Sequence, residues 1–172
     1  NLVKFTEKIS SNVDLTYEEA ADAMQLIMSG ESTAAQFGSF VTGLRMKGET
    51  VDEIAGMASV MRKMALSVNY DNDLLDTCGT GGDGLGTFNI STAAAFVSAG
   101  IGIKIAKHGN RAMSSHTGSA DVLESLGINI NLTPDQVSEC IKISNFGFMF
   151  AQGFHPAMKY AGPPRREIGI RT

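Results

Sequence analysis

Two short segments carry the groups that could do chemistry, residues 76–92 and Lys107-His-Gly-Asn-Arg111. The first has glycine at positions 79, 81, 82, 84 and 86, so its backbone can approach a ligand without a Cβ in the way. It leads through Asn89-Ile-Ser-Thr92 into small residues that predict a helix, whose free N–H groups attract an anion. From Gly84 to Ala120 the sequence has Lys, Arg and His but no Asp or Glu. In a chain of net charge -4 this pattern predicts two loops that bind a polyanionic small molecule.

Two better-known phosphate motifs do not fit the first segment. The pattern G-x-G-x-x-G starts at Gly79, but the acidic residue expected about 20 positions later is missing, and Lys104 and Lys107 stand in that neighbourhood. The P-loop pattern requires Lys and then Ser or Thr after its last glycine, where this chain has Leu85-Gly86. Neither nucleotide-binding motif is supported.

Composition narrows the class of protein. A chain of 172 residues with 43% hydrophobic residues can bury one core and a small helical subdomain. The excess of 18 Asp and Glu over 14 Lys and Arg argues against a nucleic-acid binder. The longest uncharged stretch, residues 84–103, is interrupted by polar residues and glycines and does not suit a membrane. With two separated cysteines, at 78 and 140, and no leader signal, we expect reduced thiols and a cytoplasmic location.

Residues 1–68 carry helix signals and predict an all-helical subdomain. Capping boxes that start at Thr16 and Thr50 predict two helices, and the apolar row of the second begins at Ile54. Ser32 is expected to cap a helix between them, which ends near Gly48.

From residue 69 onward, short apolar runs alternate with helix signals. Strands are predicted at residues 74–77, 101–106, 128–132 and Phe146–Phe150, with helices that start at Ser91, Ser119 and Thr133. Such alternation indicates an α/β fold with a mainly parallel sheet flanked by helices, and ligands bind at the carboxyl ends of its strands. Residues 69–172 are therefore expected to form the first part of an α/β domain whose sheet is incomplete in this chain.

Six motifs in a fixed order carry a family resemblance. They are Asp76-Thr-Cys-Gly-Thr-Gly-Gly-Asp83, Thr87-Phe-Asn-Ile-Ser-Thr92, Lys107-His-Gly-Asn-Arg111, Ser114-Ser115, Ser119-Ala-Asp121 and Arg165-Arg-Glu-Ile-Gly-Ile-Arg-Thr172. The chain, from about Leu15 to its last residue, resembles the anthranilate phosphoribosyltransferases. These are the tryptophan-pathway members of the class III phosphoribosyltransferase and nucleoside phosphorylase fold.

The resemblance implies transfer of a phosphoribosyl group from phosphoribosyl pyrophosphate to the amine of anthranilate, with Mg²⁺ as cofactor and Ser91 as a metal ligand. Such a reaction depends on neutralising the departing diphosphate and positioning the amine, so no general acid or base is assigned. The resemblance places these residues at phosphoribosyl pyrophosphate: Gly79, Gly82, Asp83, Thr87, Asn89, Ile90, Ser91, Thr92, Lys107, His108, Gly109, Asn110, Arg111, Ser114, Ser115 and Ser119.

The residues implied at anthranilate are Gly79, Asn110, Arg165, His108 and His155. Simpler interpretations stay open for some positions: Lys107 as a solvated surface lysine, Ser114 and Ser115 as loop residues, and His155 as the start of a helix. Ser119 is also expected to cap the helix that it begins.

The resemblance further implies a homodimer formed through the helical subdomain, without nucleic-acid or membrane partners. Because the last motif leads into further strands in the family, we expect this chain to be the N-terminal half of a longer protein. The family's acidic metal-binding pair would then belong to the other half. The alternatives are a pyrimidine nucleoside phosphorylase of the same fold, which His116-Thr-Gly118 resembles, and a non-enzymatic relative that binds nucleic acid.

Overall fold

The computed structural model describes residues 1–79, 87–112 and 117–170. The chain separates into two compact units. The helical unit comprises Asn1–Ala65 and His155–Thr172, and the sheet unit comprises Leu66–Phe154. Over the described ranges, no helix combines the length and the apolar character needed to cross a membrane. Predicted site residues outside the described ranges are Gly82, Asp83, Ser114 and Ser115, together with His116.

The helical unit is built from five helices in its described residues. They are α1 (Val3–Ser10), α2 (Tyr17–Met28), α3 (Ala34–Lys47), α4 (Val51–Met64) and α9 (Met158–Glu167). Helix α2 packs against α4 and α1 packs against α3, while α9 packs on both α2 and α3. Pro163 and Pro164 lie inside α9, where they supply no N–H to the helix. The core of the unit consists of side chains such as Phe5, Ile27 and Phe40.

The predicted capping boxes at Thr16 and Thr50 are both formed and begin α2 and α4. The cap predicted for the intervening helix is wrong by one residue, because Thr33 and not Ser32 accepts from the N–H three residues on. Gln36 completes that box by accepting from the backbone N–H of Thr33. Gly48, at φ 88°, ends α3 as predicted.

One feature of the helical unit differs from the sequence-based expectations. Ile54, predicted in the apolar row of α4, is exposed, and Glu53, Gly56 and Val60 are the buried residues of that helix. A Cβ on Gly56 would lie 2.2 Å from the carbonyl oxygen of Tyr17, so glycine permits the close approach of α4 to α2. By its contacts, the segment from His155 onward belongs to this unit, and the predicted division into residues 1–68 and 69–172 stays a prediction.

The sheet unit contains a parallel two-stranded sheet and four helices in its described residues. These elements are α5 (Ile90–Gly100), β1 (Ile105–Gly109), α6 (Ser119–Ser125), α7 (Pro134–Ser144), β2 (Phe146–Phe150) and α8 (Ala151–Phe154). Ile105 pairs with Phe146 and Gly109 with Phe150, and on the other side of β1 Leu75 forms a single parallel bridge to Ile105. The parallel α/β fold and the strand Phe146–Phe150 are as predicted.

Three predicted strands need correction. The run at 74–77 pairs only at Leu75, through the single bridge to Ile105. The run at 101–106 becomes strand only at Ile105, because α5 extends to Gly100 and Gly102, at φ 95°, turns the chain before β1 begins. The run at 128–132 forms no strand, although its alternation is real, since Ile130 is buried and the side chain of Asn129 accepts from the N–H of Asn131. An extended segment that packs on one face shows the same period as a strand without pairing.

Candidate functional site

The first predicted loop is anchored to the second by Asp76. Its Oδ1 accepts hydrogen bonds from the backbone N–H of Cys78 at 2.8 Å and from that of His108 at 3.3 Å. The first bond is a local turn contact, whereas the second links residues 32 positions apart in the chain. The start of the glycine-rich segment and the end of β1 therefore lie side by side, at the edge where a parallel sheet binds ligands.

Helix α5 begins at a polar cap directly after the first loop. Asn89 is the N-cap residue, and its Oδ1 accepts from the N–H of Thr92 at 3.1 Å. The same oxygen accepts from Ser91 Oγ at 3.2 Å and from Ser119 Oγ at 3.5 Å. Asn89 thereby ties the start of α5 to Ser119 at the start of α6. The backbone N–H groups of this first turn give the site a positive end.

Lys107 is the central charged group of the site. It is the middle residue of β1 and only 1% exposed, so the interpretation as a solvated surface lysine is wrong. The strand predicted at 101–106 would have placed it just beyond a strand end. Its Nζ donates to Thr77 Oγ1 at 3.3 Å and to Ser91 Oγ at 3.2 Å. Burial lowers the pKa of the Lys107 ammonium below its ordinary value, and the Asp76 carboxylate offsets part of that effect. Within the described ranges no carboxylate forms an ion pair with Lys107.

Thr92 adds a buried hydroxyl to the first turn of α5. The residue is 1% exposed, and its Oγ1 has no hydrogen-bond partner within the part of the chain that the structure describes. A buried hydroxyl without a partner is costly. Together with the Lys107 ammonium, it leaves two buried polar groups at the helix start whose hydrogen-bonding capacity suits an anionic ligand.

The second segment predicted as a loop, residues 107–111, is strand up to Gly109 and leaves β1 only at Asn110. It packs closely on its neighbours. A Cβ on Gly109 would lie 2.8 Å from the ring of Phe148 and 3.0 Å from Ser119 Cβ, so glycine is required there. The guanidinium of Arg111 bonds to Glu124 through both Nη atoms and to Asp121 at 3.3 Å. The charge of Arg111 is therefore engaged by carboxylates of α6, and its predicted contact with phosphate stays a prediction.

The structure brings many of the predicted phosphate-binding residues into this one region of the sheet unit. Those linked by the contacts above are Asn89, Ser91, Thr92, Lys107, His108, Gly109 and Ser119. Arg165 and His155 belong to the helical unit. Ser119 does not cap α6 as predicted, because Gly118 occupies the N-cap position and Ser119 is the first helical residue.

Sequence reasoning missed four residues that shape the site, and the first is Asp76, which joins the two loops. Thr77 accepts from Lys107 and donates to the carbonyl oxygen of Ser91 at 2.8 Å. Asp121 and Glu124 hold Arg111. Thr77 lies at the end of a predicted strand, which is a signal for a ligand-facing position. Asp121 and Glu124 lie just after residues 84–120, the stretch without Asp or Glu, and the sequence carries no signal for their pairing with Arg111.

The oxygens around Ser91 fit one side of a magnesium site. Ser91 Oγ accepts from Lys107 and donates to Asn89, which leaves it one lone pair for a hard cation that prefers oxygen ligands. In residues 1–79, 87–112 and 117–170 there is no group of three or more His, Cys, Asp and Glu that could hold a metal. Ser91 would accordingly supply one ligand, and phosphate oxygens and water would supply others, as is usual for Mg²⁺.

Comparisons with known proteins also divide the chain into a helical part and an α/β part, with the boundary between residues 65 and 71. A family model described as "Glycosyl transferase family, helical bundle domain" matches residues 3–65, and one described as "Glycosyl transferase family, a/b domain" matches residues 71–172. Among curated relatives, the anthranilate phosphoribosyltransferase of Chloroflexus aurantiacus (strain J-10-fl) is 64% identical over 92% of this chain and 47% of its own length. That of Roseiflexus castenholzii is 62% identical over the same shares. The chain thus spans about half the length of the curated relatives it matches.

Solved structures of anthranilate phosphoribosyltransferases also match most of this chain with about half of their own length. The crystal structure of anthranilate phosphoribosyltransferase (TrpD) from Thermus thermophilus has a TM-score of 0.88 and 45% identity, and the match covers 97% of this chain and 51% of that one. The Saccharomyces cerevisiae enzyme in complex with PRPP and Mg has a TM-score of 0.86 and 29% identity, with 99% and 52% covered. On these matches and on its fold, the chain belongs to the glycosyl transferase family that combines a helical bundle domain with an a/b domain.

Proposed function

We propose that the protein transfers the phosphoribosyl group of 5-phosphoribosyl 1-pyrophosphate to the amine of anthranilate, giving N-(5-phosphoribosyl)anthranilate and pyrophosphate in L-tryptophan biosynthesis. The observation that carries this proposal is the buried Lys107 ammonium, which Thr77 and Ser91 hold at the start of α5. A buried cation favours an anionic ligand that pairs with it. The complex of the Saccharomyces cerevisiae relative with PRPP and Mg supports phosphoribosyl pyrophosphate as that anion.

The proposed reaction breaks the bond between C1 of the ribose and the diphosphate oxygen, which leaves with the electron pair. The anthranilate nitrogen forms the new bond to C1 and then releases a proton to solvent. Lys107 and the N–H groups at the start of α5 would stabilise the negative charge that develops on the departing diphosphate. Mg²⁺, bound in part by Ser91, would neutralise further diphosphate charge.

The proposed diphosphate contacts divide into two groups. The residues given geometric support by the contacts around Asn89 and Lys107 are Asn89, Ser91, Thr92, Lys107 and Ser119. The remaining members are proposed on the family resemblance: Gly79, Gly82, Asp83, Thr87, Ile90, His108, Gly109, Asn110, Arg111, Ser114 and Ser115. Lys107 is the member on which the proposal depends most, because its charge is buried.

Anthranilate requires a partner for its carboxylate, and we assign that role to Arg165. Arg165 lies in the last turn of α9 and is exposed. The planar guanidinium matches a carboxylate with two parallel hydrogen bonds. Gly79, Asn110, His108 and His155 complete the proposed anthranilate contacts by resemblance.

We further propose that the protein is a cytoplasmic homodimer that pairs through its helical unit. Support comes from apolar side chains exposed at the end of α3 and the start of α4: Met46 is 84% exposed, Val51 82% and Ile54 55%. A contiguous exposed apolar patch is a feature of association surfaces, and these three side chains are candidates for one. Light scattering coupled to size exclusion on the full-length protein should give twice the monomer mass, and a monomer at micromolar concentration would contradict the proposal.

The activity is tested by following anthranilate fluorescence with the full-length protein, phosphoribosyl pyrophosphate and Mg²⁺. Loss of fluorescence that requires all three components is the expected result. A protein that leaves anthranilate unchanged but splits a pyrimidine nucleoside with inorganic phosphate would instead be a nucleoside phosphorylase. A protein with neither activity that retains nucleic acid at physiological salt would be the non-enzymatic relative.

A further inference from the structure

One carboxylate joins two points of the chain on either side of residues 113–117. Oδ2 of Asp121 accepts from the N–H of Ala112 at 2.9 Å and from the N–H of Gly118 at 2.8 Å. Oδ1 of Asp121 accepts from Nη1 of Arg111 at 3.3 Å. A carboxylate that accepts two backbone N–H groups and a guanidinium is strongly held. Asp121 therefore fixes the separation between the end of the second loop and the start of α6.

Gly118 permits this closure because it has no side chain. A Cβ at Gly118 would lie 2.4 Å from the backbone nitrogen of Ala112, 2.4 Å from the carbonyl carbon of Arg111 and 2.6 Å from the carbonyl oxygen of Asn110. These three atoms are all backbone and cannot turn aside as a flexible side chain can. The N–H of Ala120 also donates to the Asn110 carbonyl oxygen at 3.2 Å. The residue before α6 and the residues after β1 are thus in direct backbone contact.

The same helix start reaches the first loop. Ser119 Oγ donates to Asn89 Oδ1 at 3.5 Å, and Asn89 caps α5. Glu124, one turn further along α6, binds Arg111 with both carboxylate oxygens. The guanidinium also lies over the ring of Phe150, with 5.7 Å between Cζ and the ring centroid. Helix α6 is therefore the element against which both loops are placed.

We propose that Asp121 is a positioning residue for the phosphoribosyl pyrophosphate site, and that it sets the location of Asn110 and Ser119 relative to the start of α5. Arg111, itself a proposed phosphate contact, also joins the second loop to α6 through Asp121 and Glu124. The inference rests on the proposed function, because it assigns the loops to that ligand. Asp121 itself touches the backbone and Arg111, so its effect on binding is transmitted through the loop.

The test compares two Asp-to-Asn variants of the full-length protein. Asp121→Asn keeps the shape of the side chain and removes its charge, so its amide cannot accept from all three donors at once. Asp135→Asn is the matched control, because Asp135 lies in the first turn of α7 and is exposed. With Mg²⁺ present, calorimetric titration with phosphoribosyl pyrophosphate should give about tenfold weaker binding for Asp121→Asn and unchanged binding for the control. The KM for anthranilate at saturating phosphoribosyl pyrophosphate should change by less than about twofold, since its proposed carboxylate partner is Arg165.

Hydrogen exchange shows whether the hydrogen bonds of Asp121 to Ala112 and Gly118 are lost in the variant, independently of any change in ligand binding. The amides of Ala112 and Gly118 should exchange faster in Asp121→Asn than in the wild type, with the circular dichroism spectrum unchanged. Faster exchange with unaltered affinity for phosphoribosyl pyrophosphate would overturn the inference and leave Asp121 a structural residue. An equal weakening of phosphoribosyl pyrophosphate binding and of the KM for anthranilate would do the same. A wild-type protein that binds no phosphoribosyl pyrophosphate would overturn the proposed function itself, whatever the exchange rates. Gly118→Ala, which moves the same contact by steric means, should weaken binding in the same selective way.

Discussion

The ammonium of Lys107 lies 3.2 Å from the hydroxyl of Ser91, so a buried cation is held against the first turn of α5. Replacing it by methionine keeps the apolar stem and removes the charge. Lys107→Met should weaken phosphoribosyl pyrophosphate binding by about 10- to 100-fold, the range for losing hydrogen bonds to a charged group. Because burying an ammonium is costly, the variant should unfold at the same temperature as the wild type or higher. Titration calorimetry and thermal unfolding together check this prediction.

Lys142→Met is the control for that change, since Lys142 is exposed on α7. It should leave binding of phosphoribosyl pyrophosphate unaffected. Equal affinity in Lys107→Met and the wild type would remove Lys107 from the proposed site.

Ser91→Ala should change how much Mg²⁺ the reaction needs. The hydroxyl offers one free lone pair to a cation, so its removal should raise the Mg²⁺ concentration for half-maximal activity by about tenfold, comparable with losses of other metal-site partners. Saturating Mg²⁺ should restore much of the rate. Ser98→Ala, on the same helix, is the control, and an unchanged magnesium requirement in Ser91→Ala would rule out Ser91 as a ligand.

Arg165→Ala should separate the two substrates. Loss of a guanidinium partner for the anthranilate carboxylate is expected to raise the KM for anthranilate by about 10- to 100-fold, with little change for phosphoribosyl pyrophosphate. Arg166→Ala changes the adjacent exposed arginine of α9 and is expected to have little effect. Steady-state kinetics with each substrate varied in turn provide the measurement. An equal loss for both substrates would contradict the assignment of Arg165.

Glu53 should make the helical unit sensitive to acid. Its carboxylate is fully buried, which opposes ionisation, but the N–H groups of Leu15 and Thr50 together with Lys47 outweigh that effect and lower the pKa of Glu53. A carboxyl whose pKa is lowered on folding stabilises the folded state above its unfolded pKa of about 4.3, and this stabilisation is lost as the pH falls through the lower, folded value.

Glu53→Gln should therefore cost roughly 3 kcal/mol at neutral pH, because it leaves the buried Lys47 without one of its partners. The difference from the wild type should shrink below about pH 4 as the wild-type carboxylate takes up its proton. Urea unfolding at a series of pH values checks both statements. Glu18→Gln, exposed on α2, is the control, and a difference that does not depend on pH would exclude ionised Glu53 as the cause.

Local signals predicted local structure well in this protein. The boxes at Thr16 and Thr50 mark α2 and α4 because cap and partner lie three residues apart and act alone. The cap at Thr33 was also readable, since Gln36 completes a box for Thr33, whereas Ser32 has Ala35 at the matching position. Glu53 shows the limit of local prediction. Its carboxylate also accepts from the buried N–H of Leu15, 38 positions away in the chain, and no local pattern indicates that contact.

The candidate site was likewise predictable only in part. The motif residues were identified by type and order, but the burial of Lys107 depends on where β1 starts and on what covers it. An apolar run predicted the strand at 101–106, whereas the turn at Gly102 delays the start of β1 by four residues, to Ile105. The engagement of Arg111 by Glu124 was not predictable, because an arginine in a phosphate motif and one in a carboxylate pair look alike in sequence. Pairing across the fold decides between them.

The two prolines of α9 limit the backbone conformational entropy that would be lost when Arg165 binds a ligand. Pro163 and Pro164 come directly before Arg165, and their rings fix φ at both positions. The backbone that carries the Arg165 guanidinium therefore has few alternative conformations, in the unfolded chain as well as in the folded one. For the anthranilate contact that we propose, little freedom of the backbone before Arg165 remains to be lost on binding.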